Sequence, residues 1–173
     1  MSEPSLVTDA MRAAVGREYR WMTSYPIEKM DIRRWALAVY YPEPAPRLFL
    51  DEDYARTTPH GGMVAPEDFN PFGWALAEDR ALSDVVPTMI GPEESLGLPP
   101  LPTRANIVAG LEVQYGKVRM RPGDVIRCAY LLGGYEEKPG RMGLMLFTRL
   151  EQRWTNQRDE LVKTYRTNLI RYR

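Results

Sequence analysis

The chain has a single imidazole, His60, and a single thiol, Cys128, so any proton-transfer chemistry must use that histidine or carboxylates. His60 stands in Thr58-Pro59-His60-Gly61-Gly62. It reads either as a displaced general acid or base or as a loop residue with local hydrogen bonds. Glu43, in Pro42-Glu43-Pro44-Ala45-Pro46, would act as a general base if buried against Phe49; otherwise it is a solvated carboxylate. Asp51 suits the cap of a short helical turn, and Glu67 and Asp68 suit the positive end of a helix opening at Pro66. Cys128 falls on an apolar strand face with no second histidine to activate it, which reads as a small buried hydrophobe.

Lys117, Arg119 and Arg121 gather before the turn Arg121-Pro122-Gly123-Asp124, either to meet a nucleotide phosphate or as solvated charge. Gly133-Gly134, Gly140 and Gly143 lack the strand–glycine-loop–helix setting of a dinucleotide site. The Phe72 and Trp74 pair reads as core or subunit interface. Lys and Arg number 23 and Asp and Glu 23, so the electrostatic case for nucleic-acid binding falls away. One cysteine and one histidine exclude an internal disulfide, zinc ribbons, thioredoxin-type motifs and facial-triad iron sites, and no metal is expected.

The elements that must hold these groups follow from periodicity. With 173 residues, 44% of them hydrophobic, the chain is read as one domain over 1–173 with a packed core. No apolar run approaches a membrane span or a signal peptide, so a cytoplasmic location is expected. Residues 1–17 form an arm, with a short helix between Ser5 and Val15 capped near Thr8 or Asp9. A helix follows Tyr25-Pro26, with Ile32, Trp35, Ala36, Val39 and Tyr40 on one stripe. Residues 79–104 carry five prolines and read as an insertion or lid. From Ala105 the period becomes two. Ile107, Ala109, Leu111, Val113 and Tyr115 share one face of a half-buried strand. Ile126, Cys128, Tyr130 and Leu132 share a face of a second strand, and residues 133–143 form a glycine-rich loop. Leu144, Leu146, Leu150 and Trp154 mark a third strand and Leu161 to Tyr172 a fourth, with Trp154, Tyr165 and Tyr172 on exposed faces. Helices followed by antiparallel strands give an α+β domain with a sheet curved around one helix.

Three stretches, in this order, resemble the MaoC-like hydratase/dehydratase family. More narrowly, they resemble the dehydratase-type domain related to fungal type I fatty acid synthase, which also occurs as paired bacterial subunits. Tyr41 to Ala55 is similar to D-x-N-P-L-[HY]-x-D-E-x-Y-A. Gly61-Gly62-Met63-Val64-Ala65-Pro66 is similar to G-G-[IL]-V-A-P, and Arg121-Pro122-Gly123-Asp124 with Gly143 to Thr155 is similar to the R-P-G-D turn and its strand. The likeness spans about residues 17–172. It implies the hot-dog fold, an antiparallel β-sheet wrapped around a central helix. It also implies hydration of enoyl thioesters of coenzyme A or acyl carrier protein, or dehydration of the 3-hydroxyacyl product, with no further cofactor. In such proteins an Asp and a His move the water proton, and a backbone N–H at the start of the central helix polarises the thioester carbonyl.

Alignment on Leu48-Phe49-Leu50-Asp51 puts Phe49 at the family's His position. The Asp position falls on Glu43 or Pro44, and the family's His-Gly on Pro66-Glu67. Phenylalanine transfers no proton, so the usual pair is incomplete. The resemblance implies that Phe49, Asp51, Gly62, Val64, Ala65, Glu67 and Phe69 line the thioester site, with the Glu67 N–H as carbonyl donor. The expected function is that of a subunit shaping the acyl pocket while a related MaoC-like partner supplies Asp and His. The expected assembly is a homodimer or a heterotetramer with that partner, without nucleic acid or membrane. Two alternatives stand beside it: a self-sufficient lyase using Glu43 or His60, and a non-enzymatic acyl-thioester-binding protein.

Overall fold

Thr8 accepts a hydrogen bond from the Met11 N–H and so caps α1 (Asp9–Ala13), the one turn of helix in the N-terminal arm. The computed structural model describes residues 4–72, 91–103, 105–141 and 143–172. The chain then forms β1 (Glu18–Thr23) and α2 (Lys29–Tyr40). A turn of 3₁₀-helix follows at Arg47–Phe49, then α3 (Glu52–Arg56) and α4 (Pro92–Ser95). The rest is strand: β2 (Ala105–Tyr115), β3 (Arg127–Gly140), β4 (Gly143–Thr155) and β5 (Leu161–Tyr172). All pairings are antiparallel, and the order across the sheet is β1-β3-β4-β5-β2.

One face of this sheet carries the core. Register places Met22, Cys128, Trp154 and Lys163 in a row across β1, β3, β4 and β5. Against that face pack Ile32 and Ala36 of α2, Phe49, Ala55, and Met63, Val64, Ala65 and Phe69 of the loop after the glycines. A smaller cluster of Leu6, Val7, Met11 and Leu146 fills the other end, with Leu98, Leu101, Tyr135 and Leu144 against it. The arm is therefore tied into the domain. The Leu6 N–H donates to the Glu137 carboxylate (2.5 Å), and the Gly16 N–H donates to the Leu132 carbonyl (2.7 Å).

Several expectations are corrected. β1 carries no strong alternation and is an additional strand. Residues 133–140 continue β3 instead of forming a loop, because a register shift at Leu132/Gly134 absorbs the glycines within the β3–β4 ladder. β2 is an edge strand and not half-buried. Its register shifts between Val108 and Leu111, where Gly110 has φ 141°, and this puts Ile107 and Leu111 on opposite faces. Val108 is 65% and Leu111 62% exposed. Trp154 is buried, not exposed, and its ring lies 5.3 Å from that of half-buried Tyr165. Val39 is exposed although it shares the helical spacing of Ile32 and Ala36. The helix expected to open at Pro66 is absent from residues 66–72, which form turns. Its continuation, Trp74 and residues 79–90 of the expected insertion lie outside the described residues.

The described part of that insertion is anchored by a buried ion pair. Arg171 donates to both Glu93 carboxylate oxygens, at 2.9 and 2.6 Å, and Tyr135 adds a hydroxyl donor at 2.8 Å. Burial alone would push the Glu93 carboxyl up, but the Arg171 donors and charge hold it below its ordinary value. Its contribution to stability is complete above about pH 4.5 and is lost as the pH falls through the lower folded value. Breaking such a pair strands a buried charge at a cost of about 3–5 kcal/mol, whereas replacing both partners is often neutral. In thermal or denaturant melts, Arg171→Met and Glu93→Leu should each lower stability strongly, and the double variant should recover most of the loss.

Candidate functional site

The segment from His60 to Asn70 carries most of the expected site residues, and it is held by its carbonyl oxygens. Gly61 sits at φ 64°, a left-handed conformation that suits glycine, and its N–H donates to the Thr58 carbonyl (2.9 Å). Arg121 Nη2 then donates to the His60 carbonyl (2.7 Å), and Arg119 Nη2 to the Ala65 carbonyl (2.8 Å). The Ala65 N–H donates to the Met120 carbonyl (2.8 Å). Arg121 opens the Arg121-Pro122-Gly123-Asp124 turn, and Arg119 stands two residues before it. The Asp124 carboxylate accepts from the Arg121 N–H (2.8 Å), and the Gly123 N–H donates to the Ile27 carbonyl (2.8 Å).

A third cation completes the clamp. Lys163 is 0% exposed, and its Nζ donates to the carbonyls of Glu67 (3.0 Å) and Phe69 (2.9 Å). The ammonium also lies 4.4 Å from the Trp154 ring centroid and 5.2 Å from that of Tyr165. Burial lowers the Lys163 pKa to about 8, opposed by the Asp68 charge.

The expected site residues divide between core and surface. Phe49 is buried with its ring 6.0 Å from that of Tyr40. Val64, Ala65 and Phe69 are fully packed, and Phe69 meets Trp35 edge-on at 5.5 Å. Phe72 packs edge-on against Trp154 at 4.9 Å. Asp51 caps α3 by accepting from the Tyr54 N–H (3.0 Å) and pairs with Arg47 (2.6 Å). Glu43 is exposed and has no hydrogen bond or ion pair among the described residues, so Phe49 does not bury it. His60 is half-buried, with its backbone engaged and its imidazole unbonded among the described residues. Glu67 is exposed and pairs with Arg119 at 3.0 Å. Gly62 has room for a Cβ, which would meet Arg121 Nη1 at an ordinary 3.7 Å. The buried Cys128 thiol is pushed up to about 12, which leaves it un-ionised and inert. No group of three or more metal-ligating side chains gathers among the described residues.

Sequence reasoning missed the clamp. Arg119 and Arg121 read as phosphate contacts or solvated charge, and they hold backbone instead. Lys163 was one polar residue in a strand rich in Thr and Tyr. Its place on the core face was signalled only by its even spacing from Tyr165 and Arg171.

The folded chain releases the Lys163 proton near pH 8, and the unfolded chain near 10.5. Stability supplied by this group therefore rises with pH across that window. Urea melts of wild type and Lys163→Met should show the variant less stable throughout. The gap should widen from neutral pH to about pH 9.5. Gly61→Val should destabilise through its left-handed backbone by about 1–2 kcal/mol, read in the same melts.

Residues 13–165 match the family model described as FAS1-like, dehydratase domain region. No curated protein matches the sequence significantly. Among solved structures, the MaoC-like dehydratase from Rhodospirillum rubrum superposes with a TM-score of 0.53 at 21% identity, over 92% of this chain and 93% of that one. The ChsH1-ChsH2 complex from Mycobacterium tuberculosis gives 0.61 at 19% identity, over 88% and 83%. The HadBC (3R-hydroxyacyl-ACP dehydratase) complex from the same organism gives 0.53 at 17%, over 90% and 99%. These likenesses show the hot-dog fold. No helix among the described residues is long and apolar enough to cross a membrane. With the family model covering most of the sequence and the sheet matching these neighbours, the chain belongs to the FAS1-like dehydratase domain family.

Proposed function

We propose that this chain is a partner-dependent subunit of an acyl-thioester hydratase or dehydratase. It shapes the acyl pocket and binds the thioester, and a related hot-dog subunit supplies the Asp and His that move the proton. The observation that carries this reading is Phe49. It stands where the family motif has its proton-transferring His, and it is buried against Tyr40 in the core. The exposure of Glu43, unpartnered among the described residues, and the lack of any bond to the His60 imidazole there support this reading over a self-sufficient lyase. Two of the solved neighbours are complexes of two subunits, which supports a paired assembly.

The β2 edge supports the same assembly. Among the described residues β2 pairs with β5 alone and leaves an 11-residue edge with exposed Ile107, Val108, Leu111 and Tyr115. An apolar edge of that length is a liability in a monomer and a template for another strand. Pairing with the edge of the related subunit would extend the sheet and cover these side chains.

The test compares the chain alone with the chain co-expressed with a related subunit that carries the Asp/His pair. Alone, it should not hydrate crotonyl- or longer enoyl-coenzyme A above background; the assembled pair should. Hydration by the chain alone would favour the self-sufficient lyase. Phe49→His should not create strong activity in the isolated chain, and a large gain would show that Glu43 is already a competent base. Leu111→Lys should shift the assembly towards monomer in light scattering without lowering the melting temperature of the isolated chain.

A further inference from the structure

The clamp on the segment after the glycines has a chemical face as well as a structural one. The Phe69 N–H donates to the Pro66 carbonyl (3.1 Å), which makes Pro66–Phe69 a tight turn whose central peptide joins Glu67 to Asp68. Lys163 takes the carbonyl of that central peptide and the carbonyl of the peptide joining Phe69 to Asn70. In a trans peptide the C=O and N–H point in opposite directions. The N–H groups of Asp68 and Asn70 therefore point away from the ammonium. Neither donates to a backbone carbonyl among the described residues. A cation on the carbonyl oxygen also polarises the peptide and strengthens its N–H as a donor.

We infer that Lys163 is a positioning residue for an oxyanion-type site, turning the Asp68 and Asn70 N–H groups outward to receive the carbonyl oxygen of an acyl thioester. The inference rests on the thioester reading above, and it replaces the Glu67 N–H as the donor. Lys163 has a structural role in holding these two carbonyls, and it carries the cost of a buried ammonium that has lost its hydration. The donors lie in backbone, so they survive the loss of proton-transferring side chains.

The charge on Lys163 sets the strength of the site, which gives a readout that packing does not. The groups facing it are Asp68 on the turn, Tyr165 along β5, Tyr115 opposite on β2, and Trp154 with Cys128 beyond it in the same row. Burial lowers Lys163 to about 8, raises Tyr165 and pushes Cys128 up to about 12. As the pH rises through that window the ammonium becomes an amine. Polarisation of the bound carbonyl then falls while the folded chain gains stability from the same titration, and a structural role alone predicts only the gain.

The experiment uses the assembled protein saturated with hexadienoyl-coenzyme A, whose conjugated absorption shifts to the red when its carbonyl is polarised. The wild type should show the bound red shift at neutral pH and lose at least half of it with a midpoint near pH 8. Lys163→Arg, which keeps its charge, should retain the shift to about pH 9.5, and Lys163→Met should lack it throughout. A wild-type shift that stays constant across the window, or a full shift in Lys163→Met, would overturn the inference while leaving thioester binding intact. Failure of the probe to bind the wild-type assembly at any pH would overturn the thioester reading and this inference with it. Where Lys163→Met or Lys163→Arg does not fold, the wild-type titration alone decides.

Discussion

An ammonium enclosed by aromatic rings and held by two backbone carbonyls is the interaction on which the rest of this fold is hung. Lys163 has three donors: two reach the Glu67 and Phe69 carbonyls, and the charge rests against the Trp154 and Tyr165 rings. Because those carbonyls are fixed, Met63, Val64, Ala65 and Phe69 are laid on the sheet, where they close the core against α2. Arg119 and Arg121 hold the same segment at Ala65 and His60, so a loop with two adjacent glycines is given one path. Without Lys163 the buried Phe69 carbonyl would be left unsatisfied at about 1–3 kcal/mol.

The opposite end of β5 repeats the device with a different chemistry. Lys163 and Arg171 are eight residues apart on one strand and face the same side of the sheet. Lys163 secures the segment after the glycines, and Arg171 secures α4 through Glu93. Two apolar clusters lie near these two polar nodes. Hydrophobic contact alone is tolerant of sliding, because any apolar side chain suits any other. A bidentate guanidinium–carboxylate pair and a carbonyl-bound ammonium have direction, so they settle where each covering segment crosses the sheet.

The regular parts of this arrangement were legible in the sequence. Leu146 and Trp154 alternate as a strand should, and Asp51 caps the turn its spacing suggested. The rest failed for physical reasons. β3 looked like a loop from residue 133 because glycines usually mark turns, yet Gly133 sits in a close approach: a Cβ there would lie a tight 3.1 Å from the Arg149 carbonyl oxygen. β2 looked half-buried because alternation does not register a bulge that swaps faces midway. The family motifs singled out the segment Gly61-Gly62-Met63-Val64-Ala65-Pro66. They could not show that three cations hold it, since Lys163 is 96 residues from one of the carbonyls it binds.

Under the proposed function, this fold surrenders one kind of chemistry at Phe49 and keeps another. A proton-transferring side chain can be lost by a single substitution, and the phenyl ring at position 49 is buried against Tyr40, which favours stability. A backbone donor cannot be lost that way, because its direction is set by the turn at Pro66–Phe69 and by the cation behind it. Removing it means undoing the Lys163 contacts and, with them, the packing of Phe69 in the core. In the proposed assembly this asymmetry divides the labour between subunits. Proton transfer passes to the chain that kept the side chains, while thioester recognition remains wherever the core itself maintains the backbone geometry.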